Sequence, residues 1–190
     1  MADNPPEAPR RRADARRNQQ ALLDAAANAF IASGVDVPVR EIAARAGVGV
    51  GTIYRHFPAR ADLIVAVYRH QVEACAEAGP TLLDTHRSPH AALGEWTTLF
   101  VDFLTTKHGL AEALQSDAAT FDTLHTYFLD RLVPTCEALL TAATTAGEIP
   151  PGTDPYELLR AIGNLCIGGT TRRYQPRRMV ALLIAGLGVK

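Results

Sequence analysis

The chain has 190 residues, and 47% of its side chains are hydrophobic, enough to bury one medium domain or a small domain with a larger one. No apolar run approaches the roughly 18 residues of a membrane span, and the polar, proline-rich N-terminus lacks the apolar block of a secretory signal. Three widely spaced cysteines form neither a zinc pattern nor a disulfide framework. We therefore expect a soluble cytoplasmic protein with no membrane partner, metal or cofactor.

Charge is distributed unevenly along the chain. Residues 10–60 contain nine arginines and four acidic residues, a net charge of +5, whereas residues 61–190 have a net charge of −4. A basic first third on an acidic body is typical of a polyanion-binding head attached to a regulatory part. Residues 1–14 are predicted to be a disordered arm, which reaches phosphates or a minor groove or serves only as a solubilising tail. Five arginines lie in this basic arm or just after it, namely Arg10, Arg11, Arg12, Arg16 and Arg17.

Two helices are predicted at the start of a head domain over residues 15–60. Apolar residues at helical spacing and a high alanine content predict the first over residues 15–33, and Gly34 suits its left-handed end. The second is predicted over residues 39–46, just after Pro38.

A third helix, over about residues 50–56, follows a turn at Gly47. Its Ile53 is predicted to be buried against the first two helices, and Pro58 ends it. Two short helices joined by a glycine turn are typical of a helix-turn-helix, whose second helix enters the DNA major groove. A purely structural helical hairpin would use similar spacing, but the basic arm upstream favours DNA binding.

The residues of this segment resemble the DNA-binding domain of the TetR family of transcriptional regulators, over about residues 18–64. The similarity lies in Ile42-Ala43-Ala44-Arg45-Ala46-Gly47-Val48, then Gly51-Thr52-Ile53-Tyr54-Arg55-His56-Phe57-Pro58, and then Asp62-Leu63. The resemblance implies an all-helical homodimer that binds double-stranded DNA. It also implies a variable C-terminal body that binds a small-molecule effector and thereby releases the DNA.

The resemblance also implies roles for individual side chains. Thr52 would bond to a phosphate or a base edge, whereas Tyr54 and His56 would contact phosphates. Arg60 stands where the family often has lysine and would add a phosphate contact, and Arg55 would meet a base or a phosphate. The candidate DNA-binding residues are Arg40, Val50, Thr52, Tyr54, Arg55, His56 and Arg60.

The start of the third helix departs from the family pattern. Gly49 occupies the cap position where Ser or Thr is usual, and glycine is an acceptable cap that offers no hydroxyl to a phosphate. Val50 and Gly51 then make the leading edge of the helix apolar. We therefore expect methyl contacts to thymine and few hydrogen bonds to bases, with Val50, Thr52 and Arg55 discriminating between sequences while the phosphate contacts position the protein.

Residues 61–190 are predicted to form a helical body for effector binding and dimerisation, which brings the total to about nine helices. A helix over about residues 60–78 would join head and body, and Gly79-Pro80 would end or kink it. The further predicted helices are 90–107, 110–116, 117–145 with a kink at Pro134, 154–168 capped by Asp154 or Thr153, and 176–188.

The last two predicted helices are apolar on more than one face. One face would pack within the subunit and the other against a second copy, although the core of a monomer would show the same pattern. The predicted dimer-interface residues are Leu158, Ile162, Leu165, Met179, Leu182 and Leu183.

Aromatic residues with a few polar groups among them predict a pocket in the body for a small, largely apolar ligand. The candidate pocket residues are Trp96, Phe100, Phe103, Phe121, His125, Phe128 and Asn164. The same aromatic stripe describes an ordinary core, whereas the polar His125 and Asn164 would require partners.

The predicted function is that of a DNA-binding repressor released from a near-palindromic operator by such a ligand. The alternative is an effector-independent or activating DNA-binding protein of the same fold. An enzyme is not expected, because the chain shows no nucleophile–base pair, paired carboxylates, phosphate-binding loop or metal-ligand spacing.

Overall fold

The structure is a computed structural model that describes the backbone of residues 7–113, 118–167 and 170–189 and the side chains of residues 17–104, 122–167 and 170–189. These residues form eight helices and no strand, which confirms the predicted all-α fold. The helices are α1 (Glu7–Ser33), α2 (Val39–Ala46), α3 (Val50–His56), α4 (Arg60–Thr85), α5 (Pro89–Ala113), α6 (Ala118–Thr145), α7 (Pro155–Cys166) and α8 (Pro176–Leu187). None of the described helices is long and apolar enough to cross a membrane.

The helix count over the described residues is lower than the expected nine because the segments on both sides of Gly109 belong to one helix. The helices expected over residues 90–107 and 110–116 are joined in α5, which is 25 residues long. A glycine in a helix interior costs only about 1 kcal/mol. The packing of α5 against three other helices outweighs that cost.

The first helix is longer than predicted at its N-terminal end. It begins at Glu7 rather than at residue 15, so residues 7–14 of the predicted disordered arm are helical. The arginines and alanines of this segment are good helix formers, which explains why the helix continues through it.

The fourth helix passes the predicted stop and continues to Thr85. Pro80 removes one backbone donor from the helix interior, which normally ends or kinks a helix. Here Cys75, Gly79 and Leu82 form one buried face that spans the proline. Burial of that continuous face favours continuation of the helix over the predicted end near residue 78.

The remaining body helices lie close to their predicted positions. α6 includes Pro134 within its length. α7 begins directly after Asp154, whose side chain accepts a hydrogen bond from the backbone N–H of Glu157 at 2.8 Å. This is the predicted helix cap, and it satisfies one of the free donors of the first turn.

The chain divides into two compact units, with the boundary inside α4. The first unit is Met1–His70 and the second is Gln71–Lys190, whereas the sequence analysis placed the boundary after residue 60. In the first unit α1 packs on α2 and α2 on α3. The buried side chains of this unit include Leu22, Ala26, Phe30, Ile42, Phe57 and Ile53, the last as predicted, whereas Ala46 and Val48 are half-buried.

In the second unit α5 is the central element and packs against α6, α7 and α8. Its buried aromatic residues form a stacked series, with ring centroids 5.8 Å apart for Trp96 and Phe100 and 6.1 Å apart for Phe100 and Phe103. The indole N–H of Trp96 donates to the carbonyl oxygen of Cys75 at 2.8 Å, which satisfies the polar atom of this buried ring.

Candidate nucleic-acid interface and ligand cavity

Two glycines shape the turn that presents α3. Gly47 ends α2 with φ of 67°, the left-handed conformation that favours glycine, and the next N–H, of Val48, donates back to Ala43 at 3.0 Å. Gly49 precedes α3 in an extended conformation and makes no side-chain cap. The short turn therefore ends one helix and starts the other with backbone hydrogen bonds alone.

The outer face of α3 carries most of the predicted DNA-binding side chains. Ile53 is 1% exposed and anchors the helix, whereas Val50 is 39% and Tyr54 49% exposed. His56 is exposed as well. Single exposed side chains of this size are common on protein surfaces, so their exposure shows that they are accessible to a partner.

Arg55 folds back over the first turn of α3. Its Nε donates to the carbonyl oxygen of Gly51 at 3.3 Å, and its Nη2 donates to Oγ1 of Thr52 at 3.1 Å. The structure thus brings together the two polar residues that we expected to discriminate between sequences. Arg40 on α2 is also exposed and has no hydrogen bond or ion pair with another described residue.

Arg60 occupies a different environment from the one predicted. Its Nη2 donates to the carbonyl oxygens of Val35 and, at 2.8 Å, of Val37. Both carbonyls belong to the segment that connects α1 to α2, and Arg60 is half-buried there. The guanidinium therefore braces this connection, and the phosphate contact of Arg60 stays a prediction.

The structure does not describe most of the arginine side chains predicted for the basic arm. The side chains of Arg10, Arg11, Arg12 and Arg16 are not among those described, and Arg17 is exposed on α1. Arg45, next to the turn, forms an exposed ion pair with Glu41 at 2.6 Å. The described cations of the α2–α3 surface without a carboxylate partner are therefore Arg40 and Arg55.

A cavity of about 290 Å³ lies among α5, α6 and α7. Its lining residues are Phe100, Leu104, His125, Phe128, Leu129, Tyr156, Leu159 and Arg160. Three of them were predicted from the sequence, namely Phe100, His125 and Phe128. The rings of His125 and Phe128 are stacked with centroids 5.8 Å apart.

The other predicted pocket residues lie elsewhere. Trp96 and Phe103 are buried in the core of the second unit and do not line the cavity. Asn164 is exposed on α7, away from the lining, and the side chain of Phe121 is not among those described. Trp96 packs as core because its indole already has a backbone partner.

The contribution of α7 to the cavity was not predicted from the sequence. Tyr156, Leu159 and Arg160 follow one another at intervals of three and one, so they share one face of the helix. That spacing was visible in the sequence. The fact that this face meets Phe100 and Phe128 depends on contacts between distant segments and was not.

The predicted dimer-interface residues separate into two groups. Leu158 and Ile162 are 5% and 0% exposed and belong to the core of their own subunit. Leu165, Met179 and Leu183 are half-buried, and Leu182 is 58% exposed on α8. Among other apolar residues at this end of the chain, Ile167 is 66% exposed, and it was not predicted.

The three cysteines are buried and form no disulfide. Burial raises the pKa of both Cys75 and Cys136 to about 12, so neither is a ready nucleophile. The cysteines are free, and no group of three or more potential metal ligands occurs among the described residues.

Comparison with known proteins matches both units of the chain. The family model for bacterial regulatory proteins of the tetR family matches residues 22–67. The model for the C-terminal domain of SbtR-like transcriptional regulators matches residues 88–189, more than half of the chain. The chain belongs to the TetR family of transcriptional regulators.

Solved structures of TetR regulators cover nearly the whole chain. One from Streptomyces coelicolor is 34% identical, with 88% of this chain and 97% of that chain covered and a TM-score of 0.76. One from Mycobacterium vanbaalenii is 32% identical, with 94% and 99% covered and a TM-score of 0.71. TtgW, an HTH-type transcriptional regulator of Pseudomonas putida, is 39% identical over 56 residues, which span 29% of this chain and only 42% of TtgW.

Two more distant structures of transcriptional regulators contain a bound small molecule. LfrR from Mycobacterium smegmatis, in complex with proflavine, is 24% identical with a TM-score of 0.58. A regulator from Saccharomonospora viridis, in complex with choline, is 18% identical with a TM-score of 0.62. At these identities they show the shared fold alone.

Membership of the TetR family makes the chain a DNA-binding transcriptional regulator of a non-enzymatic family. This confirms the predictions of DNA binding and of no enzymatic activity.

Proposed function

We propose that this TetR regulator is a repressor that leaves its operator when a small ligand enters the α5–α6–α7 cavity. The observation that carries the proposal is a partly open cavity of about 290 Å³, lined by aromatic and polar side chains, in the unit that does not contain α3. Small-molecule sites are lined by apolar and aromatic side chains with a few polar groups. The complexes of LfrR with proflavine and of the Saccharomonospora viridis regulator with choline indicate that this fold accepts small molecules.

On the DNA side, we propose that Tyr54 and His56 hold the phosphates while Val50, Thr52 and Arg55 distinguish bases. Exposed Tyr54 and the paired Thr52 and Arg55 support this division. Tyr54→Ala should weaken binding to operator and random DNA by similar factors, because phosphate contacts carry no sequence information. Loss confined to the operator would contradict the division, and fluorescence anisotropy at one fixed salt concentration measures both affinities.

The operator is best identified by selection of bound sequences from random DNA. A homodimer with two recognition helices should recover inverted half-sites whose centres lie about 10 base pairs, roughly 34 Å, or a multiple of that apart. A recovered site without two-fold symmetry would overturn the dimeric part of the proposal.

The homodimer would form through the exposed apolar residues of α7, α8 and the turn after α7. Leu182 and Ile167 are the best candidates because they are 58% and 66% exposed, whereas Leu158 and Ile162 are already buried in their own subunit. Leu182→Asp should shift the protein to monomer in analytical ultracentrifugation. Leu99→Asp is the matched control, since Leu99 is 41% exposed but lies on α5.

An effector-independent or activating regulator is the second candidate. A thermal-shift screen of small apolar compounds separates it from the repressor, because an effector must stabilise the state that it binds. A compound that raises the melting temperature and lowers operator affinity supports ligand release. A compound that raises both would favour an activator or co-repressor.

A further inference from the structure

We propose that the α5–α6–α7 cavity takes an amphipathic anion: a compact aromatic or alicyclic body with one carboxylate-type group directed at Arg160. This inference deepens the proposed function and rests on it, because it concerns the same effector cavity. What it adds to the proposed function is the charge and the size of the ligand.

The apolar part of the ligand is defined by the interior of the cavity. Phe100 and Phe128 lie with ring centroids 5.9 Å apart and planes inclined by 19°, and both are buried. Leu104 and Leu159 line the same space and are also buried. A volume of about 290 Å³ is at the lower end for ligand cavities, so it suits a body of fused-ring size rather than a long chain or a macrocycle.

The charged part is defined by Arg160, a lining residue whose side chain is exposed to solvent, as is that of Tyr156. Arg160 is the single charged side chain among the described lining residues, and no Asp or Glu lies among them. Tyr156 lies one helical turn before Arg160 on the same face of α7 and adds a phenol hydroxyl, which can donate a hydrogen bond. A guanidinium binds carboxylates through two parallel hydrogen bonds, and these are stronger than bonds between neutral groups.

Arg160 differs from two other arginines of the second unit, which have a carboxylate partner. Arg131 pairs with Glu73, and Arg177 pairs with Asp102. Arg160 forms no ion pair or hydrogen bond with any residue that the structure describes, although Glu157 stands three positions before it on α7. Arg87, Arg172, Arg173 and Arg178 also form no described ion pair, but none of them lines this cavity. The charge of Arg160 is therefore available to a ligand, and it disfavours a cation in the same space.

The test uses three probes with one body and different charges, namely naphthylacetate, naphthylacetamide and naphthylethylammonium. Isothermal titration calorimetry on the full chain without DNA should show the carboxylate binding about tenfold more tightly than the neutral amide, as expected for a charge-assisted hydrogen bond. The ammonium should bind more weakly than the amide. Competition of the amide with the carboxylate shows that both use one site.

Substitutions assign this preference to one side chain. Arg160→Met should remove the roughly tenfold advantage of the carboxylate while leaving the affinity for the amide unchanged, and Arg160→Lys should keep part of it because lysine keeps the charge without the planar fork. Arg177→Met is the matched control, because Arg177 lines a separate groove between α5 and α8. It should leave all three affinities unchanged.

Three results would overturn the inference. They are equal binding of carboxylate and amide to the unaltered chain, a carboxylate preference that survives in Arg160→Met, and no binding of any of the three probes. Failure of the repressor proposal has a different signature. If naphthylacetate binds with the expected dependence on Arg160 but leaves operator affinity unchanged, the ligand class stands and release by that ligand does not.

Discussion

Gly79 marks a place where α4 lies close against α6. A Cβ added there would lie 2.3 Å from Cγ2 of Thr135, whereas the next atoms, Cβ of Thr135 and Cδ1 of Leu139, are at 3.7 and 3.9 Å, which is ordinary contact. The conflict is thus confined to one methyl group. That methyl cannot rotate away freely, because Oγ1 of Thr135 donates to the carbonyl oxygen of Arg131 at 3.0 Å.

Gly79→Ala should therefore lower the free energy of unfolding despite the better helix propensity of alanine. Overpacking costs about 1–3 kcal/mol, and the gain from replacing a helical glycine is about 1 kcal/mol, so the net loss should be about 1 kcal/mol. Urea unfolding followed by circular dichroism, at one fixed protein concentration, measures it.

The control variants follow from the same geometry. Thr135→Ser keeps the hydroxyl and removes the conflicting methyl, so Gly79→Ala in that background should be neutral or stabilising, with a coupling energy of about 1–3 kcal/mol. Gly94→Ala in α5 should gain up to about 1 kcal/mol, because the nearest atom, Cγ2 of Ile184, lies at 3.9 Å. If Gly79→Ala is as stable as Gly94→Ala, or if serine gives no rescue, the steric argument is refuted.

Three further predictions concern Glu73, Arg60 and Gly51. Hydrogen bonding by Arg131, opposed by burial and assisted by the Tyr127 hydroxyl, holds the pKa of Glu73 below its ordinary value of 4.5. The stability that Glu73 contributes is therefore complete above about pH 4.5 and is lost as the pH falls through the lower folded pKa. Glu73→Gln should accordingly reduce the loss of melting temperature between about pH 5 and pH 2. An unchanged dependence of the melting temperature on acid pH would contradict this. Arg60→Met should lower the free energy of unfolding without DNA by about 1–3 kcal/mol, whereas an unchanged urea midpoint would contradict the bracing role of Arg60. Gly51→Ala should raise thermal stability, because the added Cβ meets nothing within 4 Å, and should weaken operator binding in anisotropy titrations; unchanged affinity would mean that the backbone of α3 does not approach the groove closely.

The helices of the head were predictable because their signals are local. Gly47 and Pro58 mark the ends of α2 and α3 in the sequence itself, and the observed bounds Val39–Ala46 and Val50–His56 agree with the predicted ones. The predicted helix end near residue 78 was wrong for the complementary reason, whereas the alternative prediction of a kink at Pro80 stays a prediction. A proline signal is also local, but burial of one continuous face of α4 against other helices outweighs it.

The cavity was only partly predictable, since it forms where three separate helices meet. Aromatic residues on α5 and on α6 predicted the apolar wall of the cavity, because their spacing is visible within each helix. The α7 side, with Tyr156 and Arg160, acquires its meaning only from packing. The same limit applies to Arg60, whose partner at Val35 is 25 positions away in the chain.

The arginines show how such ambiguity is resolved by the acceptors around each guanidinium. Arg131 and Arg177 each have a carboxylate partner within the second unit, and Arg60 is held by two backbone carbonyls of the first. Their hydrogen bonds stabilise the fold. Arg55 bonds only to a carbonyl and a hydroxyl, and Arg160 bonds to no described residue, so neither charge is neutralised by a described carboxylate. An uncompensated cation on an exposed or cavity-lining surface attracts an external anion. Arg55 is therefore the arginine to test with DNA, and Arg160 is the one to test with a carboxylate ligand.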